Sequence, residues 1–312
     1  MVYRVLFITI LINVILADFV QFGGELYMDG QNARNIGMGG YSVSFSAGSN
    51  PAKLIYSSEA FIHFSYKDKY SGLSNVATVS YSYLQKVNRE ELPVYISLIN
   101  RSVDYIPDTR YAKNPDGSID YSMIDYFSQQ EIGLAVASSY YINDLIVGFT
   151  AKPYHTKLAE YHAWGLSGDI GLLVPFFNKK IKTECWIENV FSFNHWDTGN
   201  TESYVPLFMA GGQIQLKSLV LGLESGCHLK EDFPLTYRAG FEYFQPNQII
   251  IIRGGVSNNN AFSLGIGLTF NMINIDYAYI EMFQASPFEP SHIFGFEVNL
   301  EKISEIKGKI SP

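Results

Sequence analysis

Residues able to do chemistry are sparse in this chain and do not converge. The six histidines (His63, His155, His162, His195, His228 and His292) fall into no His-Glu-x-x-His or other recognised metal spacing. His195 and Asp197 share a segment, but no third residue completes a catalytic set, and no Gly-x-Ser-x-Gly elbow occurs. The run Asn114-Pro-Asp-Gly-Ser-Ile-Asp120 has part of the pattern of a calcium loop. Aligned on the calcium-loop spacing, however, Ala112 and Met123 occupy the first and last ligand positions, and Pro-Asp-Gly makes a tight turn unaided. Gly37–Gly40 lacks the Lys-Ser/Thr that follows a phosphate loop. The expectation is no catalytic residue, no metal and no cofactor.

The elements that must position these residues read as strands. The chain has 312 residues, 47% hydrophobic, 15% aromatic and 17% charged, with a net charge of −8. High aromatic content and modest charge exclude disorder, and the lack of a basic run excludes a nucleic-acid binder. Beyond the N-terminus no apolar run approaches the ~20 residues of a membrane-spanning helix. Residues 1–17, with Arg4 ahead of the apolar stretch Val5–Leu16 and Ala17 at the cut, are expected to be an export signal.

From residue 60 apolar and small residues alternate with period two, as in Phe262, Leu264, Ile266, Leu268 and Phe270 against Ala261, Ser263, Gly265, Gly267 and Thr269. About fourteen such segments can be marked, near 60–69, 76–84, 92–101, 131–140, 144–154, 163–174, 181–190, 206–216, 219–228, 234–244, 249–257, 261–270, 273–279 and 292–300. The longest connections, 102–130, 191–205 and 280–291, all follow odd-numbered segments, so an up-and-down sheet places them at one end.

One face of these segments is large and apolar. The other carries Gly, Ala, Ser and Thr with the charges Lys67, Glu131, Lys152, Asp169, Lys182, Glu184, Glu188, Glu224, Arg238, Glu242, Arg253, Asp276 and Glu297. A charge facing lipid at mid-membrane costs ~2–4 kcal/mol, so the polar face belongs inside. The expected fold is an all-β transmembrane antiparallel barrel of about fourteen strands over 60–300. It is preceded by a plug over 18–59 and followed by a polar tail over 301–312. A barrel that wide is not filled by small side chains, and the Gly-rich 18–59 is the segment available to fill it. Glu184, Glu188, Arg238, Glu242, Arg253 and Asp276 are expected as paired lumen charges, with Arg238, Glu242 and Arg253 on neighbouring strands. Tyr83, Tyr140, Tyr154, Trp164 and Tyr279 are assigned to interfacial belts. Cys185 and Cys227 fall on the apolar face two strands apart, roughly 10 Å, too far for a disulfide.

Three stretches carry a family resemblance. The first is Ala33-Arg34-Asn35-Ile36-Gly37-Met38-Gly39-Gly40, followed by Asn50-Pro51-Ala52. The second is Val103-Asp104-Tyr105-Ile106-Pro107-Asp108-Thr109. The third runs from Glu242-Tyr243 through Arg253-Gly254-Gly255, Gly265-Ile266-Gly267 and Asp276-Tyr277-Ala278-Tyr279 to Ser291-His292. Together they resemble the PorV/PorQ group of FadL-like outer-membrane barrels. Two departures stand out: Ser42–Ser49 carries no acid where relatives have a longer acidic stretch, and Lys53 stands where glycine is common.

The resemblance implies a non-enzymatic outer-membrane protein, exported by its signal and in contact with outer-membrane lipid. Its leading implication is a component of type IX secretion that engages exported proteins through their C-terminal signal domain. Asp104, Tyr105, Ile106, Pro107, Asp108 and Tyr111 of the long external loop would then be docking groups. The alternative is a FadL-like transporter of long-chain fatty acids or other hydrophobic small molecules, for which the motif Arg34, Gly37, Gly39, Gly40, Asn50, Pro51 and Ala52 would form the movable plug. A third reading is a structural, porin-like barrel.

Overall fold

In the computed structural model the chain closes into a barrel. The structure describes residues 18–20, 25–57, 59–88, 90–230, 235–258, 261–282 and 288–303. The expected export signal lies outside the described residues, as does most of the C-terminal tail.

The wall begins with seven strands: β2 (Phe61–Lys69), β3 (Ser74–Val87), β4 (Glu90–Asp108), β5 (Asp125–Ile142), β6 (Leu145–Leu158), β7 (Tyr161–Phe176) and β8 (Ile181–Trp196). Seven more complete it: β10 (Leu207–Gln215), β11 (Leu219–His228), β12 (Thr236–Phe244), β13 (Ile250–Ser257), β14 (Ala261–Phe270), β15 (Ile273–Met282) and β16 (Ser291–Asn299). Each pairs antiparallel with its neighbours, β8 joins β10, and β16 returns to β2, so fourteen strands form a closed ring without an edge. All fourteen expected segments are present. Two short strands stand apart from the ring. β9 (Thr201–Tyr204) pairs with the upper end of β8, and β1 (Asp18–Val20) lies parallel to β9.

Closure has a physical reason: with no water in the hydrocarbon layer, every backbone polar group must find a partner in the ring. The side chains sort accordingly. Phe64, Val79, Leu98, Leu134, Phe149, Ile170, Leu223, Ile252, Leu264 and Phe294 face outward and exposed. Their neighbours Ser80, Ser97, Thr150, Ser167 and Ser263 are buried inside.

Two expectations need correction. Tyr154 is not in an interfacial belt. It shares the inward side of β6 with Lys152 and Thr156 and is buried in the lumen beside Tyr27 and Tyr204. The external connection 102–130 is strand at both of its ends. β4 runs 19 residues and β5 runs 18, against the ~9–11 needed to cross a membrane, so only 109–124 is loop.

The plug begins at the long-loop end with β1 and α1 (Glu25–Asp29). It continues through α2 (Ala33–Gly37) and a 3-10 turn (Pro51–Tyr56), and leaves at the short-turn end into β2. Asn32 caps α2 by accepting the N–H of Asn35, and Asn50 caps the 3-10 turn by accepting the N–H of Ala52. The barrel's core sits between plug and wall. Leu26 and Tyr27 pack with Val76, Ile99 and Ala135, Ala33 and Ile36 with Ala278 and Ile293, and Phe45 and Leu54 with Tyr95 and Ala137.

Candidate functional site: the plug and the chambers it separates

The plug motif meets the wall where the wall has no side chains. Gly39 and Gly40 adopt φ of +72° and +79°, a region that disfavours any residue with a Cβ. A Cβ on Gly39 would stand 2.6 Å from the backbone N and O of Val256, and one on the wall residue Gly240 would stand 2.2 Å from the Met38 carbonyl oxygen. Gly37 faces Gly265 in the same way. Lower down, Gly148 and Gly171 make room for Pro51, Ala52 and Asn50. The Asn50-Pro51-Ala52 segment is therefore a second seat, and the wall glycines are the half of each seat that the motif alone does not reveal.

Charge fixes the plug in three layers. Near the long-loop end Asp29 of α1 sits 2.9 Å from Lys67, 3.0 Å from Lys69 and 3.2 Å from Arg101. Burial opposes ionisation of Asp29, yet these three cations hold its carboxyl far below the usual carboxylate range. In the middle, Arg34 of α2 donates two hydrogen bonds to Glu242, which also accepts from Arg253 at 2.7 Å. Arg253 continues to Asp276 at 2.5 Å. Toward the short-turn end Glu184 receives the Tyr41 hydroxyl at 2.9 Å, the Asn50 amide at 3.0 Å and the Lys53 ammonium at 2.7 Å. Lys53 also donates to the Ser42 carbonyl and lies 4.3 Å from the Tyr41 ring centre. Lys53 is thus a bolt between plug and wall.

The six expected lumen charges are all inward, and four of them, Glu184, Glu242, Arg253 and Asp276, belong to the plug-holding layers. Arg238 does not join Glu242 and Arg253. It pairs with Glu224, its register partner on β11, at 2.9 Å. Glu188 lies 3.5 Å from Lys152, which pairs at 2.7 Å with Asp169. Sequence reasoning missed Asp29, Lys69 and Arg101, because their pairing needs the plug to be threaded through the lumen first.

The plug leaves a chamber on each side. The outer one, about 660 Å³, has Met28, Ile36, Val205, Leu207, Ile280 and Met282 among its walls. The inner one, about 490 Å³, is bounded by Arg34, Tyr56, Lys182, Phe244 and Asn274 among others.

Beyond the membrane five of the expected docking groups, Asp104, Tyr105, Ile106, Pro107 and Asp108, stand on a two-stranded ribbon, and Tyr111 lies in the loop it carries. β3 stops opposite Ser102 and β6 opposite Gln129, and beyond them Ile106–Asp108 pairs with Asp125–Phe127. A bulge between Val103 and Ile106 holds Tyr105 at φ +58°. Tyr105 is 84% exposed, and Tyr111, Tyr121 and Tyr126 are also well exposed. Asp104, Pro107 and the Asp108–Arg110 pair lie along the free edge, where charge and proline discourage sheet extension. The Asn114–Asp120 segment is a turn closed on itself: Asp116 accepts from the Ser118 N–H and hydroxyl. His195 bonds Thr201, and Asp197 accepts the His162 N–H. Cys185 and Cys227 are free thiols.

No protein-family model matches the chain, and no curated protein does. Solved structures do. The Pseudomonas putida toluene transporter TodX aligns with a TM-score of 0.60 at 11% identity, over 86% of this chain and 97% of that one. The TodX monoaromatic hydrocarbon channel deltaS2 mutant aligns at 0.57 and 11%, over 88% and 98%. The chain thus shares the barrel fold of these structures. At this identity the likeness concerns the fold.

Proposed function

We propose that this barrel passes an apolar small molecule across the outer membrane, with the N-terminal plug as its gate. The observation that carries the reading is the way the plug is held. Apart from the short β1–β9 pairing, side-chain ion pairs, hydrogen bonds, apolar packing and glycine seats fix it, not strand pairing with the ring. It can therefore shift without opening the ring. A chamber of about 660 Å³ above it lies within the ~300–1,000 Å³ range of ligand sites, and apolar side chains such as Met28, Leu207 and Met282 line it beside the charged Asp29, Lys67, Lys69 and Arg238. That two neighbours are named for toluene and monoaromatic hydrocarbon passage supports an apolar cargo. Native mass spectrometry of the protein extracted from outer membranes tests this. A retained fatty acid or hydrocarbon supports the reading, and an empty lumen together with uptake no faster than in cells lacking the protein refutes it.

A second reading rests on a different observation, the exposed tyrosines of the β4–β5 ribbon. Aromatic-rich surfaces suit protein docking. In that reading the chain is a PorV/PorQ-type secretion component, and exported proteins bearing a C-terminal signal domain co-purify with it until residues 109–124 are deleted.

A further inference from the structure

His155 on β6 and His162 on β7 were unremarkable in sequence, seven residues apart. The β6–β7 hairpin turns at Ala159-Glu160, and its register sets His155 opposite Trp164 and Lys157 opposite His162. His155 and His162 are therefore diagonal neighbours, and both lie on the outward side of the hairpin, since Ala163 and Tyr154 point in. Their rings face each other, with His155 Nε2 3.3 Å from His162 Nδ1 and ring centres 5.3 Å apart.

That spacing is long for a hydrogen bond. It matches two imidazoles on one metal: with metal–nitrogen bonds of ~2.0–2.1 Å and a tetrahedral angle, the nitrogens stand about 3.3 Å apart and the ring centres about 5.2 Å. We infer that His155 and His162 form a two-histidine chelate for a divalent transition metal at the outer rim of the barrel. The pair is held in place before any metal arrives. Trp164 lies 4.4 Å from the His155 ring centre. The His162 backbone is fixed from both sides by Asp197, whose carboxylate accepts the His162 N–H and whose N–H donates to the His162 carbonyl.

Among the described residues no group of three or more His, Cys, Asp or Glu is placed to hold a metal, so the remaining coordination positions belong to water or a headgroup oxygen. Imidazole ligands select zinc, copper or nickel over magnesium and calcium. His195 lies one strand further on, opposite Trp164, roughly 10 Å from His155 by strand spacing, and its Nδ1 is engaged by Thr201. It is an internal control. The charged neighbours are Lys157, exposed beside His162, and Glu160, which is 3.5 Å from Arg110.

The test uses the full-length protein in detergent, without a polyhistidine tag, stripped with chelator and titrated with Zn²⁺, Ni²⁺ or Cu²⁺. One equivalent should bind, with a Cu²⁺ electron paramagnetic resonance spectrum showing two nitrogen ligands. His155→Gln and His162→Gln should each weaken binding at least tenfold, and His195→Gln should leave it unchanged. Saturation without nitrogen ligands, no saturable binding, or equal loss in His195→Gln overturns the assignment. The spectrum of the unaltered protein decides the matter even if a variant folds poorly.

Discussion

Arg34 of the plug and Glu242 of the wall, 208 residues apart in sequence, meet through two hydrogen bonds of 2.8 and 2.6 Å. The Glu242 side chain is fully shielded from solvent, and it also neutralises Arg253. Replacing one partner of such a group leaves uncompensated charge in place, which costs ~3–5 kcal/mol. Glu242→Gln should therefore lower the unfolding midpoint of the folded barrel in detergent, read by urea titration. It should also raise ion leakage in planar bilayers, because Arg34 loses its anchor. A variant that stays as tight and as stable as the parent would show that this pair does not hold the plug.

The glycine seats make a sharper prediction. Gly39→Ala puts a Cβ within 2.6 Å of Val256 backbone atoms at a positive φ, and no flexible group can yield. The cost should be about 3 kcal/mol. Gly72, at φ +91° with nothing within 4 Å, is the control. Gly72→Ala should cost about 1 kcal/mol, from backbone conformation alone. Parallel urea titrations of the two variants should differ clearly. Equal losses would mean that the plug is not seated against β12 and β13.

How much of this was legible in the sequence depends on distance along the chain. Alternation in Ala261–Phe270 or Ile273–Tyr279 is local, and it located the strands and the closed ring. The bulge between Val103 and Ile106 and the charged, Pro-containing Asp104–Asp108 break the alternation, so in sequence the ribbon reads as loop. Tyr154 was misplaced because an aromatic near a strand end was read by type, although its parity with Lys152 pointed inward. Arg34, Gly39 and Asn50 were legible as a plug motif. Their partners Glu242, Gly240 and Glu184 became so only when the threaded plug brought distant segments together.

Asp29 gives the plug a defined response to acid. Its carboxyl is held below its ordinary value of 3.8, so the folded state binds the proton less readily than the unfolded chain. Its stabilising contribution is therefore complete above that ordinary value and is lost as pH falls through the depressed folded value. Protease protection of α1 should be the same at pH 7 and pH 5 and fall only in stronger acid. Asp29→Asn should lose protection already at pH 7, since Lys67, Lys69 and Arg101 then face one another without a counter-ion. Loss of protection in the parent between pH 7 and pH 5 would contradict this.

Lys53 tests the inner layer. Lys53→Met keeps the length of the side chain but removes its charge, leaving Glu184 with the Tyr41 and Asn50 donors alone. Both side chains are buried, so Glu184 is left as an uncompensated buried charge and the loss should be ~3–5 kcal/mol, comparable to that for Glu242→Gln. Urea titration of the two variants side by side should show comparable losses, and an unchanged midpoint for Lys53→Met would mean that the inner layer does not anchor the plug.

That the plug is the gate is tested most directly by tethering it. A Cβ on Gly295 would lie 3.5 Å from the Ala33 Cβ, at the short end of the ~3.5–4.5 Å disulfide range. In a background with Cys185→Ser and Cys227→Ser, the pair Ala33→Cys and Gly295→Cys should lock α2 to β16 when oxidised. The measurement is uptake of a radiolabelled long-chain fatty acid or monoaromatic hydrocarbon by cells whose outer-membrane route for it is this protein. Gating by the plug requires uptake to stop in the oxidised form and to return on reduction. Equal uptake in both forms, with the cross-link confirmed, would contradict it.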